Sequence, residues 1–187
     1  MKLGVFVGSF NPVHKGHVEI VNYILDNKYV DKVLIIPTGN YWNKTDLINI
    51  KDRINMLKCY ESEKIIIEQD INNLKYTYEI MNALKNRYKD DELYLVLGAD
   101  NIIKFNSWKN YKNLIKYKFI IYNRDNICVK KYLNDIGKND GFLILCDAPI
   151  LNISSTKIRN NINNKQFINK YLDKFVIDYI NKNNLYR

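Results

Sequence analysis

The stretch Val7-Gly8-Ser9-Phe10-Asn11-Pro12-Val13-His14-Lys15-Gly16-His17 joins an apolar run to a segment of helical period, and its reading decides the fold. Before it, Leu3–Val7 is apolar throughout, as a strand covered on both faces is. After it, Val18, Val21, Ile24 and Leu25 share one face of a helix expected over Lys15–Asp26. A strand that turns through glycines into a helix opens a βαβ unit. The turn then sits at the carboxyl end of its strand, on the rim where parallel α/β sheets bind ligands.

The same alternation continues along the chain. Val33–Ile36 reads as a second strand ended by Pro37-Thr38-Gly39, and a polar loop leads to a helix over Lys51–Tyr60 with Ile50, Ile54 and Leu57 as its stripe. Ile65–Ile67 is a third strand, followed by a helix over Tyr78–Tyr88 with Ile80, Met81 and Leu84 inward. Leu93–Leu97 runs as a fourth strand straight into Gly98-Ala99-Asp100. Phe119–Tyr122 and Phe142–Leu145 complete six strands, and the chain ends in a helix with Phe175, Ile177 and Ile180 as its apolar positions. Short apolar strands separated by helices predict a doubly wound α/β fold with a parallel sheet. No internal repeat, linker or composition break divides the chain, so one domain over residues 1–187 is expected. Three segments then share one rim: Gly8–His17, Gly98–Asp100 and the stretch after the sixth strand.

With 187 residues, 47% of them hydrophobic, the chain can bury a sizeable core. No apolar run approaches the roughly 20 residues of a membrane span, and MKLGVFVGSF lacks the apolar core and cleavage site of a signal peptide. Cys59, Cys128 and Cys146 have no paired or zinc-type spacing and are expected as free thiols in a cytoplasmic protein. The net charge of +9 comes from lysines spread along the whole chain, with only five arginines among 29 basic residues. That pattern describes a solvated surface rather than a nucleic-acid groove, while still attracting small anions.

Gly8 permits close backbone approach, and Gly16 falls where the helix begins. A helix N-terminus offers N–H donors and the positive end of the dipole to a phosphate. His14 and His17, the two histidines of the chain, lie three positions apart on one side of that first turn, where each can donate to a phosphate oxygen. Zinc would want a third ligand and the chain has no further histidine; a carboxylate or thiol could serve, but no HExxH or Cys/His spacing supports it. An ordinary strand-to-helix turn with two surface histidines is the other alternative, and against it stands the placement of both histidines and the glycines on the binding rim. The spacing fits neither the GxxxxGK[ST] loop nor GxGxxG. A second cluster, Ile153-Ser154-Ser155-Thr156-Lys157-Ile158-Arg159, is a capped helix start. Its hydroxyls, amides and guanidinium suit a polyphosphate, although a plain Ser/Thr cap would look the same in isolation.

GSFNPVHKGH resembles the (H/T)xGH signature of the nucleotidyltransferase superfamily, in the version found in nicotinate-nucleotide adenylyltransferases, and ISSTKIR resembles that superfamily's ISSTxIR motif. LGADNIIKFNSW (Leu97–Trp108), KYTYEIM (Lys75–Met81) and the terminal YINKNNLYR resemble further segments of the same family, so the likeness spans essentially the full length. It implies a Rossmann-like nucleotidyltransferase fold and adenylyl transfer from ATP to nicotinate mononucleotide, in NAD biosynthesis, with Mg²⁺ accompanying ATP and no dedicated metal site. It implies His14 and His17 at the reacting phosphates, with Lys44 helping to neutralise charge. Gly8, Ser9, Phe10, His17, Gly98, Asp100, Ser155, Thr156 and Arg159 would bind ATP, with Asp100 on ribose hydroxyls and Ser155, Thr156 and Arg159 on the departing phosphates. Asn11, His14, Lys44, Tyr76, Thr77, Trp108 and Arg124 would bind the mononucleotide. Two departures stand out: Tyr41-Trp42-Asn43-Lys44 replaces the family's Pro-Pro-His-Lys, and a single Arg124 follows Asn123 where paired arginines are common. A related enzyme acting on nicotinamide mononucleotide or pantetheine phosphate, or using CTP, and a non-catalytic basic nucleotide- or RNA-binding module are the alternatives. Trp108 can offer a flat face to a pyridine ring. Tyr76-Thr77 opens a helix whose free N–H groups would favour the carboxylate of the nicotinate form.

Overall fold

A computed structural model describes residues 1–39, 47–123, 127, 129–136, 140–149 and 152–187. Its strands are β1 (Lys2–Gly8), β2 (Lys32–Pro37), β3 (Ile65–Ile67), β4 (Glu92–Gly98), β5 (Lys118–Tyr122) and β6 (Phe142–Leu145). They form one sheet in the order β3-β2-β1-β4-β5-β6, and every neighbouring pair is parallel. The doubly wound fold and all six expected strands are therefore present, with a Rossmann-like order. From β1 the chain steps outward through β2 to β3, then returns to the opposite side of β1 at β4. That reversal opens a crevice between the carboxyl ends of β1 and β4.

The helices are α1 (Lys15–Asp26), α2 (Ile50–Lys58), α3 (Thr77–Arg87), α4 (Ala99–Ile102), α5 (Tyr111–Leu114), α6 (Val129–Ile136), α7 (Ser155–Asn160), α8 (Lys165–Tyr171) and α9 (Lys174–Lys182), with a 3-10 turn over Phe105–Ser107. Side chains alternate across each strand, so Leu3 and Val5 enter one core while Phe6 enters the other. One core gathers Ile24, Leu57, Ile158 and Val176 from α1, α2, α7 and α9. The other gathers Leu84, Ile102, Leu114 and Val129 from α3 to α6. This two-sided burial is why the strands read as unbroken apolar runs.

Some helix faces differ from the expected stripes. Ile20, Val21, Ile24 and Leu25 are the buried set of α1, and Val18 packs half-buried against the same core. In α9 the buried pair is Val176 and Ile180, with Phe175 and Ile177 flanking it half-buried. In α2 Arg53 is buried beside Ile54 and Leu57, while Ile50 sits half-exposed at the helix start. Polar ties dock α9 onto α2: the Tyr179 hydroxyl donates to Asp52 at 2.9 Å and accepts from the Asn55 amide at 2.9 Å. Among the described residues, no helix is long and apolar enough to cross a membrane.

Candidate active site

The crevice at the strand reversal is a cleft of about 590 Å³, bordered by the β1–α1 turn, the carboxyl ends of β4 and β5, and the starts of α3 and α7. His14 is the N-cap of α1, with extended backbone, and His17 is the third helical residue. The His14 N–H donates to Nδ1 of His17 at 3.3 Å. The two rings stack with centroids 3.7 Å apart and planes 27° from parallel. A neutral imidazole whose Nδ1 accepts carries its proton on Nε2, so His17 keeps a donor at its far nitrogen. Phe10 packs against the His17 ring at 5.0 Å and against Phe6 at 5.5 Å. Gly16 sits in close approach: a Cβ there would lie 3.2 Å from both His14 Nδ1 and the Ile153 side chain, so either neighbour would have to give way by a few tenths of an ångström. The glycine thus lets the histidine turn meet the segment that leads into α7.

The turn itself is held by its carbonyl groups. Gly8 O accepts from the Thr38 N–H at 2.9 Å, and Ser9 O accepts from Nη1 of Arg53 at 2.6 Å. Asn11 O accepts from Nη1 of Arg159 at 2.9 Å, and Pro12 O from the Ser155 hydroxyl at 2.9 Å. The Asn11 side chain accepts from the Tyr186 hydroxyl at 2.9 Å. These acceptors face protein donors, which removes negative ends of dipoles from the cleft and favours an anion there. Phe10 has φ of 46°, an uncommon value for a residue with a Cβ, and its buried ring covers Gly8. The Asn11–Pro12 peptide is cis.

Ser154 caps α7, its hydroxyl accepting from the Lys157 N–H at 3.2 Å, as the capped helix start predicts. Ser155, Thr156 and Arg159 line the cleft on the side of the histidines. Nη2 of Arg159 also reaches the Thr156 hydroxyl at 3.4 Å.

Thr77, Gly98, Asp100 and Trp108 line the cleft as well. A Cβ on Gly98 would fall 2.5 Å from Oδ1 of Asp100, so the bare glycine lets that carboxylate fold back over the end of β4. The Asn101 amide donates to the same oxygen at 3.3 Å. Trp108 follows the 3-10 turn and rests on the buried Phe105, centroids 5.5 Å apart. At the start of α3 the expected residues are placed as follows. Thr77 lines the cleft, and the Tyr76 ring before it stacks on Tyr78 with centroids 5.9 Å apart. The helix-start donors are also partly engaged: Glu79 accepts from the Lys75 and Tyr76 N–H groups, each at 3.1 Å. Thr77 remains at the first helical position, where a main-chain N–H has no intrahelical acceptor.

The cleft therefore brings together Gly8, Ser9, Phe10, Asn11, His14, His17, Thr77, Gly98, Asp100, Trp108, Ser155, Thr156 and Arg159. Lys44 and Arg124, with the whole Tyr41–Lys44 loop and Cys128, lie outside the described residues. Tyr122, Thr38 and Asn101 also line the cleft, and sequence reasoning missed them. The signal for Tyr122 was its place at the end of β5, paired with Gly98. Arg53 and Tyr186, which hold the turn from behind, were missed as well. The periodicity of α2 places Arg53 within the buried stripe, where a guanidinium must find acceptors. Burial pushes the Arg53 guanidinium below its usual pKa and the Tyr186 phenol above its own. Among the described residues no three His, Cys, Asp or Glu side chains cluster as metal ligands.

Three comparisons bear on this arrangement. The family model described as cytidylyltransferase-like matches residues 5–161. A Clostridium novyi protein named "probable nicotinate-nucleotide adenylyltransferase" is 31% identical over 198 residues, covering 100% of this chain and 99% of its own. One of the same name from Fusobacterium nucleatum is 34% identical over 190 residues, covering 97% and 98%. Among solved structures, the Plasmodium falciparum nicotinic acid mononucleotide adenylyltransferase complexed with NaAD superposes with a TM-score of 0.85 at 23% identity, covering 99% of this chain and 97% of its own.

Proposed function

The chain belongs to the cytidylyltransferase-like family and within it to the nicotinate-nucleotide adenylyltransferases, and from that premise we propose how its cleft works and what it uses. The enzyme transfers the adenylyl group of ATP to the phosphate of nicotinate mononucleotide, giving nicotinate adenine dinucleotide and pyrophosphate in NAD biosynthesis. One observation carries the assignment of roles. The stacked His14–His17 pair and the Ser155, Thr156 and Arg159 cluster face the same cleft as Thr77, Asp100 and Trp108.

The acceptor phosphate is already an anion, so the reaction needs no activated side-chain nucleophile. One of its oxygens attacks the α-phosphorus of ATP, the bond from that phosphorus to the bridging oxygen breaks, and pyrophosphate leaves with the electron pair. Catalysis is then positioning plus stabilisation of phosphate charge. Nε2–H of His17 donates to the α-phosphate, and His14 steadies His17 by stacking while presenting its ring edge to the acceptor phosphate. The Ser9–Asn11 turn, with its carbonyl groups drawn back into the protein, forms the floor under the phosphates. Arg159, Ser155 and Thr156 receive the charge that builds on the departing pyrophosphate. Asp100 accepts from ribose hydroxyls.

Trp108 supplies the flat wall for the pyridine ring, and Thr77 supplies an N–H and a hydroxyl to the ring's carboxylate. Lys44 and Arg124, outside the described residues, are assigned to the mononucleotide by the motif resemblance alone. Asp100 offers the cleft a carboxylate, and Mg²⁺ would come with ATP, held largely by phosphate oxygens and water. When bound, that ion would neutralise the triphosphate and make pyrophosphate a better leaving group. The exposed free thiols of Cys59 and Cys146 suit a cytoplasmic setting, and we assign the activity to one domain over residues 1–187.

The test is pyrophosphate release from ATP with a panel of acceptors: nicotinate mononucleotide, nicotinamide mononucleotide and pantetheine phosphate. Release is expected to be fastest with the first. A better rate with pantetheine phosphate would contradict the proposal. So would salt-sensitive RNA binding with no release for any acceptor.

A further inference from the structure

Behind the floor of the cleft stands a cation that the reaction above does not use. Arg53 is fully buried. Its Nη1 donates to Ser9 O at 2.6 Å, and its Nε to Ile48 O at 3.3 Å. A guanidinium keeps its proton at any pH an enzyme meets, so a full positive charge sits one peptide unit behind a residue that lines the cleft. Buried charge is weakly screened, and its field acts on whatever anion occupies the other side of that peptide.

The geometry of the peptide adds direction. Among the described residues the cis bond is Asn11–Pro12, so the Ser9–Phe10 peptide is trans and planar. Its N–H then points opposite to its C=O. Because the carbonyl is drawn inward to Arg53, the Phe10 N–H is turned outward, toward the cleft that Ser9 and Phe10 border. The other end of the turn is fixed from the end of the chain. The Tyr186 hydroxyl donates to Oδ1 of Asn11 at 2.9 Å, and the Ile48 N–H reaches the same atom at 3.4 Å.

We propose that Arg53 is a positioning residue for phosphate binding. It holds the Ser9–Phe10 peptide with its N–H aimed at the substrate phosphates and backs that donor with a fixed positive charge, while Tyr186 holds Asn11 in register. This rests on the reading that the cleft binds phosphates, and it does not depend on which base is attached to them.

Tripolyphosphate is the probe, since it has neither base nor ribose and reads the phosphate floor alone. Its Kd is measured by calorimetry for the wild type, Arg53→Met, Arg53→Lys and Tyr186→Phe, each held well below its own Tm, together with KM for ATP. Arg53→Met is expected to weaken tripolyphosphate by about tenfold or more, as loss of a charge-assisted contact does, and to raise KM for ATP in parallel. Arg53→Lys, which keeps the charge without the planar fork, should fall between Arg53→Met and the wild type. Tyr186→Phe should give a smaller loss, about threefold. A purely structural Arg53 would lower Tm and leave both constants of the folded protein within about twofold of wild type, on the ordinary strength of such contacts; that result overturns the proposal. If Arg53→Met does not fold, Arg53→Lys decides by the same criterion. Tripolyphosphate binding that weakens in these variants, in an enzyme that releases no pyrophosphate with nicotinate mononucleotide, would overturn the reaction and leave the role of Arg53 standing.

Discussion

On the wall of the cleft that we assign to the phosphates, the groups proposed to face the substrate are short loop residues, and they are fixed from far away in the chain. Arg53 holds Ser9, Arg159 and Ser155 hold Asn11 and Pro12, and Tyr186 holds the Asn11 side chain, all by directed hydrogen bonds. On the base wall, Trp108 rests on Phe105, which itself packs against Phe119, and Thr77 rides on a helix start tied off by Glu79. One wall is positioned mainly by polar bonds of defined direction, the other mainly by apolar packing. The contrast follows the two tasks. Phosphoryl chemistry tolerates little displacement of its donors, whereas a planar ring accepts a broad aromatic face.

If the division is right, damage to the phosphate wall should slow every acceptor alike, and damage to the base wall should act on acceptor binding or acceptor choice and leave ATP kinetics in place. The largest effect is expected at His17. His17→Ala should lower kcat by about 10²-fold or more with both pyridine mononucleotides, while circular dichroism shows an intact fold. His14→Ala should behave similarly, with an added rise in KM for the acceptor. Near-normal turnover in folded His17→Ala would remove the histidine from the reacting centre.

Arg159→Ala comes next. Losing a charge-assisted contact to the leaving group costs about 1.5–3 kcal/mol, a drop of roughly tenfold to a hundredfold in kcat/KM for ATP. Binding of the mononucleotide should change less, and unchanged ATP kinetics would refute the role. Trp108→Ala should weaken both pyridine substrates by up to about tenfold, the scale of an aromatic stacking contact. The smallest expected loss is at Thr77: Thr77→Val should leave ATP kinetics in place and narrow the preference for the nicotinate form by a few-fold, as removal of one hydrogen bond does. If Trp108 served only the core, its removal would lower Tm and leave both acceptor KM values alone.

The same contrast explains what the sequence made legible. The strands and the histidine turn were readable because two-sided burial leaves unbroken apolar runs and because the glycines and histidines fall together in eleven residues. The α7 start was readable for a similar reason, its capping hydroxyls and Arg159 being neighbours in sequence. The buttress of the phosphate wall was not, since Arg53 and Tyr186 lie 44 and 175 positions from Ser9 and Asn11, the residues they hold. A lone arginine in a helical stripe carries no local sign of the carbonyl it will meet. At the base wall the helix opening at Thr77 was legible, but not the turn of the Tyr76 ring onto Tyr78 or the capture of two N–H groups by Glu79. Both are side-chain choices made by tertiary packing, not by spacing.

The central claim is that one cleft joins a phosphate wall indifferent to the base to a base wall that reads the pyridine carboxylate. The ratio of kcat/KM for nicotinate over nicotinamide mononucleotide, measured by pyrophosphate release at saturating ATP, tests it most directly. A carboxylate facing donors at Thr77, where an amide NH₂ would meet them donor to donor, predicts a ratio of about ten or more. A ratio of one, or a preference for the amide, would contradict the account.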